Sequence, residues 1–410
     1  MRGAFSAFVY RAMIRGKNNR TRGSSIPSKR TNEEYALYLT DIKLYSFRNL
    51  ADGEIYFHPG INLIEGENGQ GKSNLIEAIH VLSASKTFRP CKQRDLAEWE
   101  KEEFSVFGKV SSDVEALRES SQVRLGISYE DGTKRVFVNG EQTRKVGEYV
   151  RHCPAVTFAP KDIDLIYGSP AVRRTFIDRY VSILSSTALA ALTSYQKVIR
   201  AKNSLLKERF PNLGQLRTMN EMVAQYAAII TRERSALIER LIPLIEEFYA
   251  QFAQQDGTVR LGLIESFLDQ AVGVRSEAAY APVLERLLQS EIERRTTLIG
   301  PHLDDLYFEL NGRSARQFAS QGQARSLVLA LLLSILRVIE ERIHVAPLLL
   351  LDDFSSELDE GRMRRFFELL RKNKYQVFIT GTDLSAHELT DQETTLFRVC
   401  KGRVERVYAR

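Results

Sequence analysis

Residues 66–73 read Gly66-Glu67-Asn68-Gly69-Gln70-Gly71-Lys72-Ser73, a complete G-x-x-x-x-G-K-S loop. The apolar run Ile61-Asn62-Leu63-Ile64 before it reads as a short buried strand, and Leu75, Ile76, Ile79 and Leu82 after it recur at helical spacing. Between strand and helix, glycines let the backbone curl into a nest of N–H groups around one anion. The helix start adds its positive end to that nest. The spacing therefore assigns Gly66 through Asn74 to a nucleoside triphosphate. Lys72 reaches the β- and γ-phosphates and the Ser73 hydroxyl ligates Mg²⁺. A glycine-rich turn with a surface lysine is the plainer reading, and it leaves the strand, the helix and the three glycines in register unexplained.

A second half to this machinery lies nearly 280 residues on. Pro347-Leu348-Leu349-Leu350-Leu351-Asp352-Asp353 is an apolar run ending in two carboxylates. Such a run suits a parallel strand buried on both faces, whose carboxyl end is where open α/β sheets hold ligands. Asp352 is placed for the Mg²⁺ shell (Walker B) and Asp353 to orient or deprotonate the attacking water. Taken alone, the pair could equally end a strand at an ordinary turn. Ser320-Gln321-Gly322-Gln323 opens a helix running to about Ile343, with Ser320 as its N-cap, and Ser356-Glu357-Leu358-Asp359 follows the Asp pair. S-x-G-Q, Walker B and S-x-L-D in this order are the set of the ABC-type ATPases. There the S-x-G-Q helix, here Ser320, Gly322 and Gln323, offers its N-terminus to the γ-phosphate held by a second subunit.

Length and charge frame these motifs. The 410 residues allow two or three domains. Of 58 basic and 52 acidic residues, eight basic and no acidic ones fall in the first 30, so the remainder is near neutral. The basic excess belongs to a tail, read here as a disordered arm or sequence upstream of the true start in preference to a targeting peptide. Cys91, Cys153 and Cys400 lie far apart and read as reduced thiols. The longest apolar stretch, Leu327 to Leu336, is half a bilayer span, so no membrane crossing is expected.

Strand patterns cover Tyr38–Tyr45, Ala51–Phe57, Phe104–Val110, Val123–Tyr129 and Arg135–Val138, with hairpin signals at Asp131-Gly132 and Asn139-Gly140. From Ser169-Pro170, an N-cap and first helical position, long helices run to about Tyr249, and another covers Ala281–Arg294. No sustained heptad repeat marks a coiled coil. A buried strand and a final strand around Val377–Thr380 close the chain. The expected fold is α/β: an ABC-type, SMC/Rad50-like ATPase head built from both chain ends, with an inserted helical arm. The expected segments are 1–34 (basic extension), 35–160 and 296–410 (head) and 161–295 (arm).

With these residues placed, the chain resembles the RecF family of bacterial recombination mediators. The resemblance rests on Ser46-Phe47-Arg48-Asn49-Leu50, the phosphate loop, Lys86-Thr87-Phe88-Arg89, Phe158-Ala159-Pro160-Lys161-Asp162 and Tyr195-Gln196-Lys197-Val198-Ile199. Its most specific elements are Gly168-Ser169-Pro170-Ala171-Val172-Arg173-Arg174-Thr175-Phe176-Ile177-Asp178 and Gly300-Pro301-His302-Leu303-Asp304-Asp305. It implies a cytoplasmic, nucleoid-associated protein that binds ATP and Mg²⁺, dimerises on ATP and hydrolyses it slowly. Its implied partners are double-stranded DNA, single-strand/double-strand junctions, RecR and RecO, and its implied task is loading RecA. Leu303 stands where the family usually has Arg, and Gly381 interrupts the threonines after the last strand. A short Asp353, where many ABC ATPases carry Glu, fits slow turnover.

Several residues keep two readings. Arg48 and Asn49 serve the nucleotide base or ribose, or only the fold. Arg173 and Arg174 pair with acids on their own helical face, Arg174 with Asp178 one turn on, or have a functional role. Lys197, Arg200, Lys202, Lys207 and Arg209 form a phosphate track or a solvated helix face. His302 is expected to brace a turn. A transporter ATPase subunit would carry a His after the last strand, where Thr380-Gly381-Thr382 stands. A nuclease of the overcoming-lysogenisation type would need a further acidic domain after Asp383.

Overall fold

The computed structural model describes residues 37–112, 122–253, 257–266, 276–354, 360–373, 375–382 and 394–407. The basic extension 1–34 and the Ser356–Asp359 loop lie outside the described residues. Near-alternating residues over Leu37–Tyr45 form β1, paired antiparallel with β2 (Gly53–Tyr56) and β4 (Phe104–Ser112). The sheet continues through β5 (Gln122–Glu130), β6 (Thr133–Val138) and β7 (Glu141–Thr143), in the order β2-β1-β4-β5-β6-β7. Asp131-Gly132 and Asn139-Gly140 both hold positive φ, the backbone a two-residue hairpin turn requires.

A second sheet has the order β15-β14-β3-β13-β12-β8. Its strands are β3 (Ile61–Glu65), β8 (Ala155–Phe158), β12 (Leu348–Leu351), β13 (Val377–Gly381), β14 (Thr394–Cys400) and β15 (Arg403–Val407). All neighbours are parallel except the β14–β15 hairpin. Leu63 of β3 lies between Ile379 of β13 and Leu396 of β14, so the two ends of the chain share one sheet. Val377–Gly381 is therefore not the final strand. The last hairpin escaped the sequence reading because its inward set (Thr395, Phe397, Val399) is diluted by polar neighbours.

Helix α1 (Lys72–Ala84) packs against strands of both sheets, and its residues Leu75 to Ser83 are all buried. A helix enclosed on every side needs partners for its polar groups. Glu77 receives Arg48, His80 meets Thr157 Oγ1 at 2.7 Å, and Ser83 donates to the Cys153 carbonyl.

The helical part comprises α2 (Pro170–Leu184), α3 (Ser186–Leu205), α4 (Leu213–Ala253) and α5 (Glu277–Arg294). Ser169 occupies the N-cap position of α2 in extended backbone, but its side chain makes no capping bond. Helix α4 has 41 residues, about 60 Å. Its first half joins α3 and α5 in a separate core of Ala191, Tyr195, Val223, Ala227, Ile230 and Leu284. Its second half, with Leu237, Leu241 and Ile245, belongs to the head core and packs on α6 (Gln321–Ile343). The segment 161–295 is thus shared between two cores. Strand β9 (Val259–Ile264) likewise pairs with β10 (Asp305–Leu310), which continues into β11 (Arg313–Ser314). Among the described residues α6 alone is long and apolar enough to cross a membrane, and 78% of its apolar window is buried inside the molecule. It is a core helix.

At the arm's base the two most family-specific motifs meet. Arg173 binds Asp305 through two bonds (2.7 and 2.8 Å), and Arg174 donates to the Asp304 carbonyl at 2.7 Å. Arg174 therefore does not pair with Asp178. That carboxylate is held instead by Arg234 of α4 (2.8 and 2.9 Å), which also reaches Pro301 O and Asp304. His302 Nδ1 lies 2.6 Å from the Tyr195 hydroxyl, consistent with bracing. Lys202, expected in an exposed basic stripe, is fully buried against Glu291 at 2.6 Å. It sits in the apolar phase of α3 with Tyr195, Val198 and Leu205.

Candidate nucleotide site

Strand β3 delivers the chain to the sheet's carboxyl edge, and residues 66–71 turn it into α1. Gly66 is at φ 155°, and any side chain there would strike the Val399 carbonyl of β14. Gly71, at φ 117°, caps α1 where an added Cβ would press on Asn49 and Leu50. The Lys72 ammonium is buried across the loop mouth and donates to Gly66 O (2.6 Å) and Glu67 O (3.0 Å). Burial lowers its affinity for the proton, while Asp353 and Asp352 act in the opposite sense.

Strand β12 brings Asp352 and Asp353 to the same edge. Thr380, at the end of β13, joins them: its hydroxyl donates to Asp352 Oδ1 (2.9 Å) and accepts from the Asp353 N–H (2.8 Å). Asp353 has φ 50°, a left-handed backbone that Asp tolerates better than most residues. Strained backbone of this kind persists where neighbours enforce it, here Thr380.

The resulting cleft has a volume of about 260 Å³ and is lined by Asn68, Gly69, Gly71, Lys72, Ser73, Asn74, Arg89, Asp353 and Thr380. Among the described residues no group of three or more His, Cys, Asp or Glu could cage a metal. The donor set is a hydroxyl (Ser73) and one or two carboxylates (Asp352, Asp353). That suits Mg²⁺, which takes few protein ligands and completes its shell with phosphate oxygens and water.

Other expected residues serve the site differently. Asn49 braces the loop, donating to Gly69 O (3.3 Å) and accepting from Asn74 (2.8 Å). Gln70 holds the β14–β15 turn: its side chain accepts from Lys401 N and its carbonyl from Gly402 N. Arg48 is not in the cleft. It forks onto Glu77 (2.9 and 3.1 Å), donates to Asp95 O (2.6 Å) and supports α1 from outside. Ser320 caps α6 by accepting from Gln323 N, and Gln323 Oε1 accepts from Ser320 N, a reciprocal capping box. Ser320, Gly322 and Gln323 do not line the cleft of their own chain.

Arg89, the last residue of the Lys86-Thr87-Phe88-Arg89 motif, is central to the site. It donates to Asn74 Oδ1 (2.9 Å), stands 3.5 Å from both Glu77 and Asp352, and lines the cleft. It is a cation beside the Walker B carboxylate Asp352. Nothing in its local sequence signals this beyond its place shortly after α1.

A phosphate loop, a Walker B strand and an S-x-G-Q helix on a two-sheet head define an ABC-type ATPase head of the SMC kind. The family description RecF/RecN/SMC N terminal domain matches residues 38–405. The DNA replication and repair protein RecF of Desulfitobacterium hafniense is 36% identical over 374 residues, spanning 89% of this chain and 98% of that protein. Its counterpart in Citrifermentans bemidjiense is 36% identical over 375 residues, spanning 89% and 99%. The solved structure of the recombination mediator protein RecF-ATP in the RecFOR pathway superposes with a TM-score of 0.80 at 33% identity, covering 91% of this chain and all of that one. An Smc head domain from Pyrococcus furiosus, at 18% identity and a TM-score of 0.52, shares the fold. This chain belongs to the RecF family.

Proposed function

We propose that this protein is an ATP-driven DNA-binding recombination mediator, a weak DNA-dependent ATPase of the bacterial cytoplasm and nucleoid. The observation that carries this is the cleft in which Lys72, Ser73, Arg89, Asp353 and Thr380 converge from both ends of the chain, in a family whose relatives are DNA replication and repair proteins. ATP fits with its phosphates in the loop. Bound Mg²⁺ supplies charge neutralisation of the phosphates. Ser73 and Asp352 hold it, Lys72 orients the phosphates, and Asp353 holds the proton of the attacking water. The capped start of α6 completes the site of a second copy, so ATP links two subunits and hydrolysis releases them. The function is to mark single-strand/double-strand junctions and, with RecO and RecR, to promote RecA loading.

A transporter subunit and an overcoming-lysogenisation nuclease remain the alternatives, and family membership argues against both. The test is sedimentation with ATP, ADP or no nucleotide, each with and without duplex DNA. The proposal expects a dimer with ATP alone and a DNA-bound dimer with both. A monomer under every condition, or DNA binding indifferent to nucleotide, would refute it.

A further inference from the structure

The twenty residues of α3 contain no carboxylate, and from Ser186 to Asn212 Glu208 is the only one. Thr193, Gln196, Lys197, Arg200 and Ser204 are exposed at helical spacing and form one stripe. Exposed Lys207 and Arg209 prolong it into the loop before α4. Lys202 is excluded, being buried and neutralised by Glu291. At one end the stripe opens into a cleft of about 440 Å³ lined by Arg174, Thr175, Gln196, Arg200, Arg234 and His302. The carboxylate of that cleft, Asp178, is engaged by Arg234.

The other end finishes on an aromatic ring. Phe210 is 82% exposed, and the Arg209 guanidinium lies over it, 5.4 Å from its centroid. Beneath the loop, Leu205, Leu206, Leu216 and Leu288 form a small core of their own. That core fixes the loop, so the ring is presented by a supported turn. One face is covered by a cation and the other is available for stacking.

We propose that the solvent face of α3, from the basal cleft to Phe210, is a nucleic-acid path on which the duplex backbone lies and an unpaired base stacks against Phe210. This rests on the DNA-binding function proposed above. The cations of α3, with no acid among them, follow a phosphate backbone, and Glu208 between Lys207 and Arg209 is the one carboxylate along the path. An exposed ring with an adjacent guanidinium accepts any base, since every base offers a π-face. The helical part of the stripe, Thr193 to Ser204, is about 17 Å long, half of one turn of duplex. Charge alone would also suit an acidic protein surface; the exposed ring at the end of the stripe favours DNA.

The experiment uses the full chain with ATP and Mg²⁺ and a duplex bearing a single-stranded extension, with aminopurine at the first unpaired position. Replacing Lys197, Arg200 and Lys207 together by Ala should weaken binding about tenfold or more and lower the slope of log affinity against log salt by about three. ATP turnover without DNA should stay at the wild-type rate. Phe210→Ala should leave the salt slope unchanged and lose the fluorescence quench, and Phe210→Trp should restore it. Wild-type affinity and slope in the triple variant would overturn the path, and a quench persisting in Phe210→Ala would overturn the stacking. Both results leave the proposed function standing. A wild-type chain that binds no DNA in any nucleotide state would overturn function and path together.

Discussion

Arg89 lines the cleft together with Lys72, within reach of the Walker B carboxylate Asp352 and of Asn74 in the first turn of α1. A fixed donor aimed at a region of developing negative charge strengthens in the transition state without reorganising. Arg89→Ala is therefore expected to reduce ATP turnover by about a hundredfold while changing nucleotide affinity much less. Steady-state kinetics beside equilibrium nucleotide binding checks this, and a variant that turns over normally would reduce Arg89 to a structural brace. His302 is a residue with a different consequence. Burial, with Arg174, Lys202 and Arg234 nearby, pushes it down to about 4. Between its unfolded value near 6.5 and about 4 the folded protein binds fewer protons than the unfolded chain. This group's stability is thus intact above 6.5 and eroded as pH falls, by about 2 kcal/mol at pH 5. His80, also buried and held low, adds loss in the same direction. The decisive reading is the difference between His302→Gln and wild type in urea melts at pH 7 and pH 5. Identical pH slopes would show that His302 does not titrate as described.

At the scale of elements, the phosphate loop, the Walker B strand and the Ser320 cap were legible because their chemistry is local. Glycines in left-handed backbone, an apolar run ending in carboxylates and a reciprocal Ser–Gln cap all follow from neighbours in sequence. Arg89, Thr380 and the partners of Arg174 were not legible, since each acts on a group far along the chain. Lys202 forms an intermediate case: it falls in the apolar phase of α3, a signal present in the sequence but outweighed by its charge. The start of α6 carries its own expectation. Ser320→Arg should leave nucleotide binding by a single chain intact and abolish dimerisation and turnover, because the cation obstructs a second copy. Mixed with Lys72→Met, it should regain part of the activity, one of the two composite sites being whole. Absence of recovery in demonstrated heterodimers would mean that Ser320 serves its own subunit.

Over the whole molecule, head and arm are joined by a buried ionic knot beside the apolar packing of α4 on the head core. Arg234 is 2% exposed and binds Asp178, Asp304 and Pro301 at once. Removing a buried charge strands its partners, so Arg234→Met should cost about 3–5 kcal/mol in denaturant unfolding. A cost below about 1 kcal/mol would show that water replaces the arginine. The joining of the two chain ends has its own consequence during synthesis. Glu65 of β3 bonds Arg398 of β14, 333 positions away, and the turn at Lys401-Gly402 clamps the phosphate loop through Gln70. A ribosome adding about 5–20 residues per second needs tens of seconds to travel that distance. Throughout that interval β3 has emerged with neither of its neighbours, an apolar strand with two unpaired edges. The nucleotide pocket can close only after the last hairpin has been made, so a chain stopped short of it cannot fold around ATP. Premature termination anywhere before the last hairpin would leave a sticky, nucleotide-blind product for the cell's chaperones and proteases.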